Sequence, residues 1–121
     1  MKRKGTNFER ELVEMLWSKG YAAVRIAGSG AKKIAPDVIA GNGKKFFVFE
    51  VKMRKSLPIY LKGDEIEDLV NFSKIFGAEP IIAIKIAHLG WKFFPAEVVG
   101  KRIGFEEFCR GSELSEILKN K

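Results

Sequence analysis

The residues best suited to chemistry lie between Pro36 and Lys52. Asp37 precedes a short apolar run, and Glu50 and Lys52 close a second apolar run that follows a Gly-Asn-Gly turn. Two carboxylates and an amine on neighbouring strands could hold a hard divalent cation and act on a phosphodiester, because Mg²⁺ prefers oxygen ligands. The same stretch also fits an ordinary hairpin with solvated charges, since strands with one polar face are common.

The alternation along the second run predicts the orientation of its two charged residues. Glu50 and Lys52 are two residues apart, so both side chains project from one face of a strand, about 6.6 Å apart along it. A salt bridge between them is compatible with a role for Lys52 in catalysis. The opposite face is apolar and consists of Phe47, Phe49, Val51 and Met53.

The position of Asp37 depends on the hairpin register. The preceding proline removes a ladder donor, which places Asp37 at or just before the start of its strand. A plain three-residue Gly-Asn-Gly loop pairs Ala40 with Lys44. The same register sets Asp37 opposite Phe47, on the wrong face for meeting Glu50. A bulge at the glycines, or an Asp37 outside the ladder, is therefore required.

Glu9 is a third candidate carboxylate. The spacing Thr6-x-x-Glu9 fits a capping box at the start of a helix. Helical projection also puts Glu9 at the centre of an inward face, whereas Glu11 and Glu14 are predicted on the opposite, solvated side. The apolar members of that inward face are Leu12, Val13 and Leu16. A buried carboxylate needs a cation or a donor, which a metal site would supply.

Periodicity and turn residues predict an α/β fold. Helices are expected from Thr6, as N-cap, to about Lys19, and from Asp64 to about Phe76, with Gly20 and Gly77 ending them. Strands are expected over residues 21–27, 38–40, 45–53, 80–86 and 91–94, and a loop over 54–63. A turn of helix over 105–110 and a short helix capped by Ser112 complete the chain. This order indicates a central mixed β-sheet flanked by α-helices.

Composition bounds the class of protein. A length of 121 residues and a hydrophobic fraction of 46% predict one domain over residues 1–121. A single cysteine and a single histidine argue against an internal disulfide and a Cys/His zinc site. The absence of a membrane-length apolar run and of a secretory signal predicts a cytoplasmic protein that is neither secreted nor membrane-bound.

The positive charge is concentrated in the first half of the chain. Residues 1–62 carry fourteen Lys and Arg against five Asp and Glu, within a total net charge of +7. This asymmetry is typical of proteins that bind a phosphate backbone, although basic proteins can also owe their charge to solubility. The basic Gly-Ser-Gly loop lacks the spacing of a P-loop, so Ser29 is either a turn residue or a phosphate contact. Near the candidate site, the basic residues are Arg25, Lys32, Lys33, Lys52, Arg54 and Lys55.

An apolar stripe on the second predicted helix has two interpretations. Leu69, Phe72, Ser73 and Phe76 recur at helical spacing. Such a stripe usually packs into the core, but its excess apolar area could also pack against a second copy of the chain.

Four segments taken together resemble the archaeal Holliday junction resolvases of the Hjc type, within the PD-(D/E)xK nuclease superfamily. They are residues 4–5 with 8–12 (Lys-Gly and Phe-Glu-Arg-Glu-Leu), 24–25 with 28–30 (Val-Arg and Gly-Ser-Gly), 36–40 (Pro-Asp-Val-Ile-Ala) and 49–52 (Phe-Glu-Val-Lys). The resemblance implies a restriction-endonuclease-like fold and a homodimer that makes paired, symmetric incisions in four-way DNA junctions. It also implies Mg²⁺ as cofactor, with Mn²⁺ able to substitute.

The resemblance also implies roles for individual residues. Glu9, Asp37 and Glu50 would be the metal ligands, Lys52 the transition-state stabiliser and Ser29 an active-site hydroxyl. Arg10 and Arg25 match basic positions of the family that are implied to bind DNA. The positive charge of Lys32, Lys33, Arg54 and Lys55 adds these four residues to the predicted DNA-binding surface. Two alternatives stay open: the same chemistry on linear, flap or single-stranded DNA, and a non-catalytic basic nucleic-acid-binding module whose acids are structural.

Overall fold

The computed structural model describes residues 4–27 and 34–119, with side chains of the first helix from Asn7 onward. Within these ranges the helices are α1 (Lys4–Ser18), α2 (Gly63–Phe76), α3 (Phe105–Cys109) and α4 (Leu114–Lys119). The strands are β1 (Ala22–Arg25), β2 (Val38–Gly41), β3 (Phe46–Arg54), β4 (Ile59–Tyr60), β5 (Glu79–Ile86), β6 (Gly90–Pro95) and β7 (Arg102–Ile103). None of the helices in the described ranges is both long enough and apolar enough to cross a bilayer.

Five strands form one mixed sheet in the order β1-β2-β3-β5-β6. The central pair, β3 and β5, is parallel, and the other neighbours are antiparallel. Helix α2 makes the crossover between the two parallel strands, as a parallel pair requires. The predicted mixed sheet flanked by helices is therefore confirmed.

The sheet separates two clusters of buried side chains. Alternate residues of β3 enter different clusters, with Phe47 and Phe49 on one side and Val48 on the other. The first cluster, on the side of α1 and α4, includes Leu12, Leu16, Phe93, Leu114 and Ile117. The second, on the side of α2 and α3, includes Leu69, Ile82, Ile84, Ile103 and Phe108. Because both faces of the central strands are covered, their sequences are almost continuously apolar.

The helix ends follow the glycine signals, whereas one helix start does not follow its capping signal. Gly20 and Gly77 both have φ of +89°, the left-handed conformation that terminates a helix at low cost in glycine. Helix α1 begins at Lys4, so the expected N-cap at Thr6 was wrong. The two residues before Thr6 already have helical backbone, which places Thr6 inside the first turn.

A small second sheet lies where a loop was expected. Ile59 and Tyr60 of β4 pair with Ile103 and Arg102 of β7. Ile59 and Ile103 are buried in the cluster on the α2 side. Two-residue strands have no readable period, and their pairing depends on a partner more than forty positions away, so the 54–63 segment looked irregular in the sequence.

Candidate active site

The turn between β2 and β3 contains four residues and sets the register of the site. Ala40 pairs with Phe47, so the hairpin does not have the plain three-residue loop that would pair Ala40 with Lys44. The Asn42 N–H donates to the carbonyl of Lys45 at 3.1 Å. The Asn42 side-chain oxygen accepts the backbone N–H groups of Lys44 and Lys45 at 2.9 and 2.7 Å. This asparagine-centred turn lengthens the loop, and the longer loop changes the register.

Asp37 lies immediately before β2, outside the ladder, which is one of the two arrangements expected to let it meet Glu50. Extending the β2–β3 register by one residue brings Asp37 to the same face as Glu50. Its backbone N–H donates to the Phe49 carbonyl at 2.9 Å, and its carbonyl accepts the Ile26 N–H at 2.8 Å. Its Oδ2 accepts the Val51 N–H at 2.8 Å, and the residue is only 8% exposed. Backbone and carboxylate are thus both fixed next to the segment that carries Glu50.

Glu50 and Lys52 project from β3 on the side of the sheet that faces α2. Lys52 Nζ lies 2.7 Å from Glu65 Oε1, in the first turn of α2. The sequence suggested Glu50 as the salt-bridge partner of Lys52, whereas the structure pairs the amine with Glu65. Sequence reasoning missed Glu65 because only tertiary packing brings α2 onto this face of β3. The one sequence feature that pointed to Glu65 was its position in the acidic first turn of the second predicted helix.

A small cleft of about 160 Å³ lies beside this pair. Its walls are residues 34–36, Glu50 of β3, and Glu65, Asp68 and Leu69 of α2. Three carboxylates therefore border one cleft next to the Lys52 amine. Such a surface favours a cation and requires that any bound phosphate be accompanied by positive charge.

Glu9 occupies the inward face of α1, as its helical position predicted. Leu12 and Leu16 on that face are buried, and Glu9 is half-buried. Glu9 Oε1 lies 3.5 Å from Arg25 Nη1 on β1. The structure thus joins one predicted metal ligand to one predicted DNA-binding residue. This contact provides Glu9 with the positive partner that a half-buried carboxylate needs.

Glu11 differs from its expected solvated position. Its Oε1 lies 2.8 Å from Lys85 Nζ of β5, and Glu11 is half-buried. The same amine lies 5.1 Å from the ring centroid of Phe8 and 5.8 Å from that of Trp91. The prediction was wrong because β5 projects a long cationic side chain against this side of α1.

The described carboxylates fit part of the predicted metal site. Asp37 and Glu50 supply the hard oxygen donors that Mg²⁺ prefers. Among residues 4–27 and 34–119, no group of three or more His, Cys, Asp and Glu side chains is placed to hold a metal ion. The assignment of Glu9 as a third ligand therefore stays a prediction, as do the metal roles of Asp37 and Glu50.

Comparison with known proteins decides the family. The model of the archaeal Holliday junction resolvase family (Hjc) matches residues 1–118. The chain belongs to this family. Crossover junction endodeoxyribonuclease Hjc of Archaeoglobus fulgidus is 45% identical, over 97% of this chain and 90% of the relative. The enzyme of the same name from Methanocaldococcus jannaschii is 42% identical, over 69% of this chain and 59% of the relative.

A solved structure of this resolvase family has the same fold. The structure of Archaeoglobus fulgidus Hjc, described as a Holliday junction resolvase from an archaeal hyperthermophile, superposes with a TM-score of 0.84 at 43% identity. The match covers 93% of this chain and 98% of the other. The restriction-endonuclease-like fold expected from the sequence is confirmed by this likeness.

The predicted DNA-binding residues of this family member lie in different surroundings. Arg10, Arg54 and Lys55 are exposed, and Arg54 Nη1 donates to the Met53 carbonyl at 2.8 Å. Arg25 is half-buried against Glu9. The predictions for Ser29, Lys32 and Lys33 concern positions outside the described residues.

Proposed function

We propose that this chain is a Holliday junction resolvase that cleaves four-way DNA junctions by metal-dependent phosphodiester hydrolysis. One observation carries the proposal. In a chain of this family, the buried Asp37 carboxylate is held by the Val51 N–H directly beside Glu50, with the Lys52 amine two residues further along β3. Burying a carboxylate costs free energy unless a cation or hydrogen-bond donors compensate it. An ordinary hairpin with solvated charges would therefore leave this acid exposed.

In the proposed reaction, Asp37 and Glu50 would hold Mg²⁺, or Mn²⁺ in its place, and Glu9 would contribute a third oxygen from α1. The cation would supply Lewis-acid polarisation of the scissile phosphate. Asp37 is preorganised by its hydrogen bonds, so its carboxylate needs little reorganisation when substrate arrives. The Lys52 ammonium stabilises negative charge that develops on the phosphate oxygens. The Ser29 hydroxyl is proposed to donate a hydrogen bond to a phosphate oxygen of the DNA.

The basic residues of the first half of the chain provide the affinity for DNA. Charge contacts with phosphates release counterions, so log K should fall with log salt by about 0.9 for each phosphate neutralised. The proposed contact residues are Arg10, Arg25, Lys32, Lys33, Arg54 and Lys55. These contacts read the backbone and its shape, since phosphate contacts carry no sequence information directly.

We further propose that the enzyme is a homodimer acting on DNA in the cytoplasm. Two-fold symmetry provides one active site for each of two paired incisions. The surface of α2 supports this assembly, because Ile75 is 90% exposed and Phe76 is half exposed. Phe72 stacks on Phe76 with ring centroids 5.4 Å apart, and the exposed Ile34 lines the same depression. An apolar patch of this kind is typical of an interface.

Incision assays on defined substrates test the proposed function. The wild-type chain should cut a synthetic four-way junction with Mg²⁺ or Mn²⁺, should fail with a chelator, and should leave linear duplexes and flaps of the same sequence largely intact. Glu50→Gln is the matched control and should bind the junction without cutting it. Equal rates on duplex and junction would instead indicate a nuclease of linear DNA. Salt-dependent binding without any metal-dependent incision would indicate a non-catalytic module.

A further inference from the structure

We propose that Glu65 is a positioning residue for Lys52 in the cleavage reaction. This inference rests on the proposed function and assigns a role to a residue outside the Pro-Asp and Glu-x-Lys segments. The contact that motivates it is the ion pair between Lys52 Nζ and Glu65 Oε1, at 2.7 Å. It joins the strand that carries the proposed catalytic amine to a helix on the same side of the sheet.

The lysine needs a fixed partner to act as a point charge at one location. Its side chain has a flexible four-carbon stem with many rotamers, and its ammonium is strongly hydrated when free. Here the Lys52 side chain is only 16% exposed, so its amine has lost much of that hydration. A short charge-assisted hydrogen bond both compensates the ammonium and selects one of its rotamers.

Glu65 is itself held by the helix that carries it. It lies in the first turn of α2, where the positive end of the helix dipole favours a carboxylate. Its backbone N–H donates to the Lys62 carbonyl at 3.1 Å. One turn later, Leu69 anchors α2 in the buried cluster shared with Val48 of β3. The carboxylate is therefore a fixed point toward which the flexible lysine is drawn.

The location of this pair relates it to the proposed chemistry. Glu65 and Glu50 line the same cleft, and Glu50 is the β3 neighbour of Lys52 on one face. Glu65 thus holds the amine beside the cleft where the phosphate of the substrate would bind. Loss of this restraint would let the ammonium sample positions away from the developing charge, and errors of about 1 Å can cost a hundredfold in rate.

An ion pair that only stabilises the fold would behave differently. Partly exposed pairs contribute little to stability, so a structural role predicts a small change in melting temperature and no change in rate. A positioning role predicts a slower chemical step with unchanged or tighter binding of the junction, because removing an acid also removes repulsion of phosphate.

The test compares Glu65→Gln with Glu67→Gln, an exposed acid two residues further along the same helix. Single-turnover cleavage of a four-way junction should fall about tenfold in Glu65→Gln. The junction Kd, measured in chelator, should stay within twofold of the wild type or become tighter. Glu65→Asp keeps the charge and should recover part of the rate, and Glu67→Gln should cleave at the wild-type rate.

A double-mutant cycle isolates the dependence on the lysine. If Glu65 acts through Lys52, Glu65→Gln should slow Lys52→Met hardly at all. The proposal is overturned if Glu65→Gln keeps the wild-type rate, if its loss appears in Kd alone, or if the two substitutions are fully additive. Should Glu65→Gln be too unstable to assay, the slower rate of Glu65→Asp relative to Glu67→Gln decides the question. A wild type that fails to cut junctions would instead refute the proposed function.

Discussion

Two substitutions at Asp37 separate the chemical role of its carboxylate from its structural role. In Asp37→Asn the charge is lost, but the amide oxygen can still accept the Val51 N–H that now donates to Oδ2 at 2.8 Å. In Asp37→Ala the acceptor is lost as well. Because Asp37 is only 8% exposed, water has little access to the Val51 N–H that has lost its acceptor. The two variants should therefore differ in stability while sharing the same defect in cleavage.

The structure gives the size of each effect. A partly buried N–H left without an acceptor costs about 1–3 kcal/mol. For a chain of this length, 1 kcal/mol corresponds to roughly 4 °C in melting temperature. Asp37→Ala should thus melt about 4–12 °C below the wild type. Asp37→Asn exchanges a charge-assisted bond for a neutral one, which costs about 1 kcal/mol or less.

The rate of cleavage should depend only on the negative charge of the Asp37 carboxylate, which both variants lack. Both variants should lose at least about 10³-fold in single-turnover rate on a four-way junction, because both lack the negatively charged carboxylate that is proposed to bind the cation. Junction binding in chelator should be unchanged or tighter in both, since less negative charge faces the phosphates. Melting curves, gel-based cleavage and binding titrations provide the three measurements. An Asp37→Asn variant that cuts at the wild-type rate, or an Asp37→Ala variant as stable as Asp37→Asn, would refute the reasoning.

Three further substitutions test features away from the candidate active site. Lys45 Nζ donates to the carbonyls of the last two α4 residues at 3.1 and 3.2 Å, so Lys45→Met should cost about 0.5–1.5 kcal/mol and speed amide exchange in α4. Lys44→Met, at an exposed position, is the control. Equal amide exchange of α4 in the two variants would contradict a role of Lys45 in capping this helix. Backbone N–H groups of Glu107 itself and of Gly104 lower the pKa of the Glu107 carboxyl below its usual 4.5, so this carboxylate contributes stability above pH 4.5. The wild type should therefore have a higher melting temperature than Glu107→Gln at neutral pH, and this difference should vanish as the pH falls through the lowered pKa. A difference in melting temperature that does not change with pH would contradict the prediction. Ile75→Lys should convert the proposed dimer to a monomer in sedimentation experiments without lowering the stability of the fold, and a dimer that persists in this variant would place the interface elsewhere.

The local features of the site could be predicted from the sequence. Alternation over β3 gave the face of Glu50 and Lys52, and helical projection gave the inward position of Glu9. Both inferences use only the period of one element. The hairpin register could not be predicted in the same way, because a side chain of the turn, that of Asn42, determines the loop length through its own hydrogen bonds.

The contacts between distant segments could not be predicted. Lys52 pairs with Glu65 only when α2 packs on the sheet, and Lys85 pairs with Glu11 only when the folded sheet brings β5 within reach of α1. For Lys52 the sequence suggested Glu50, and for Lys85 it suggested no partner. Which acid becomes the partner depends on helix placement, and helix placement depends on the packing of many apolar residues at once.

The separation of buried side chains into two clusters has a consequence for engineering. Glu50, Lys52 and Glu65 all lie on the α2 side, whereas Leu12, Leu16, Leu114 and Ile117 pack on the other side of the sheet. Substitutions that share no contacts are usually additive in free energy. A thermostabilised variant can therefore be sought by redesigning the apolar residues around α4 and the second half of α1, while Glu9 and the residues proposed for catalysis on the α2 side are left unchanged.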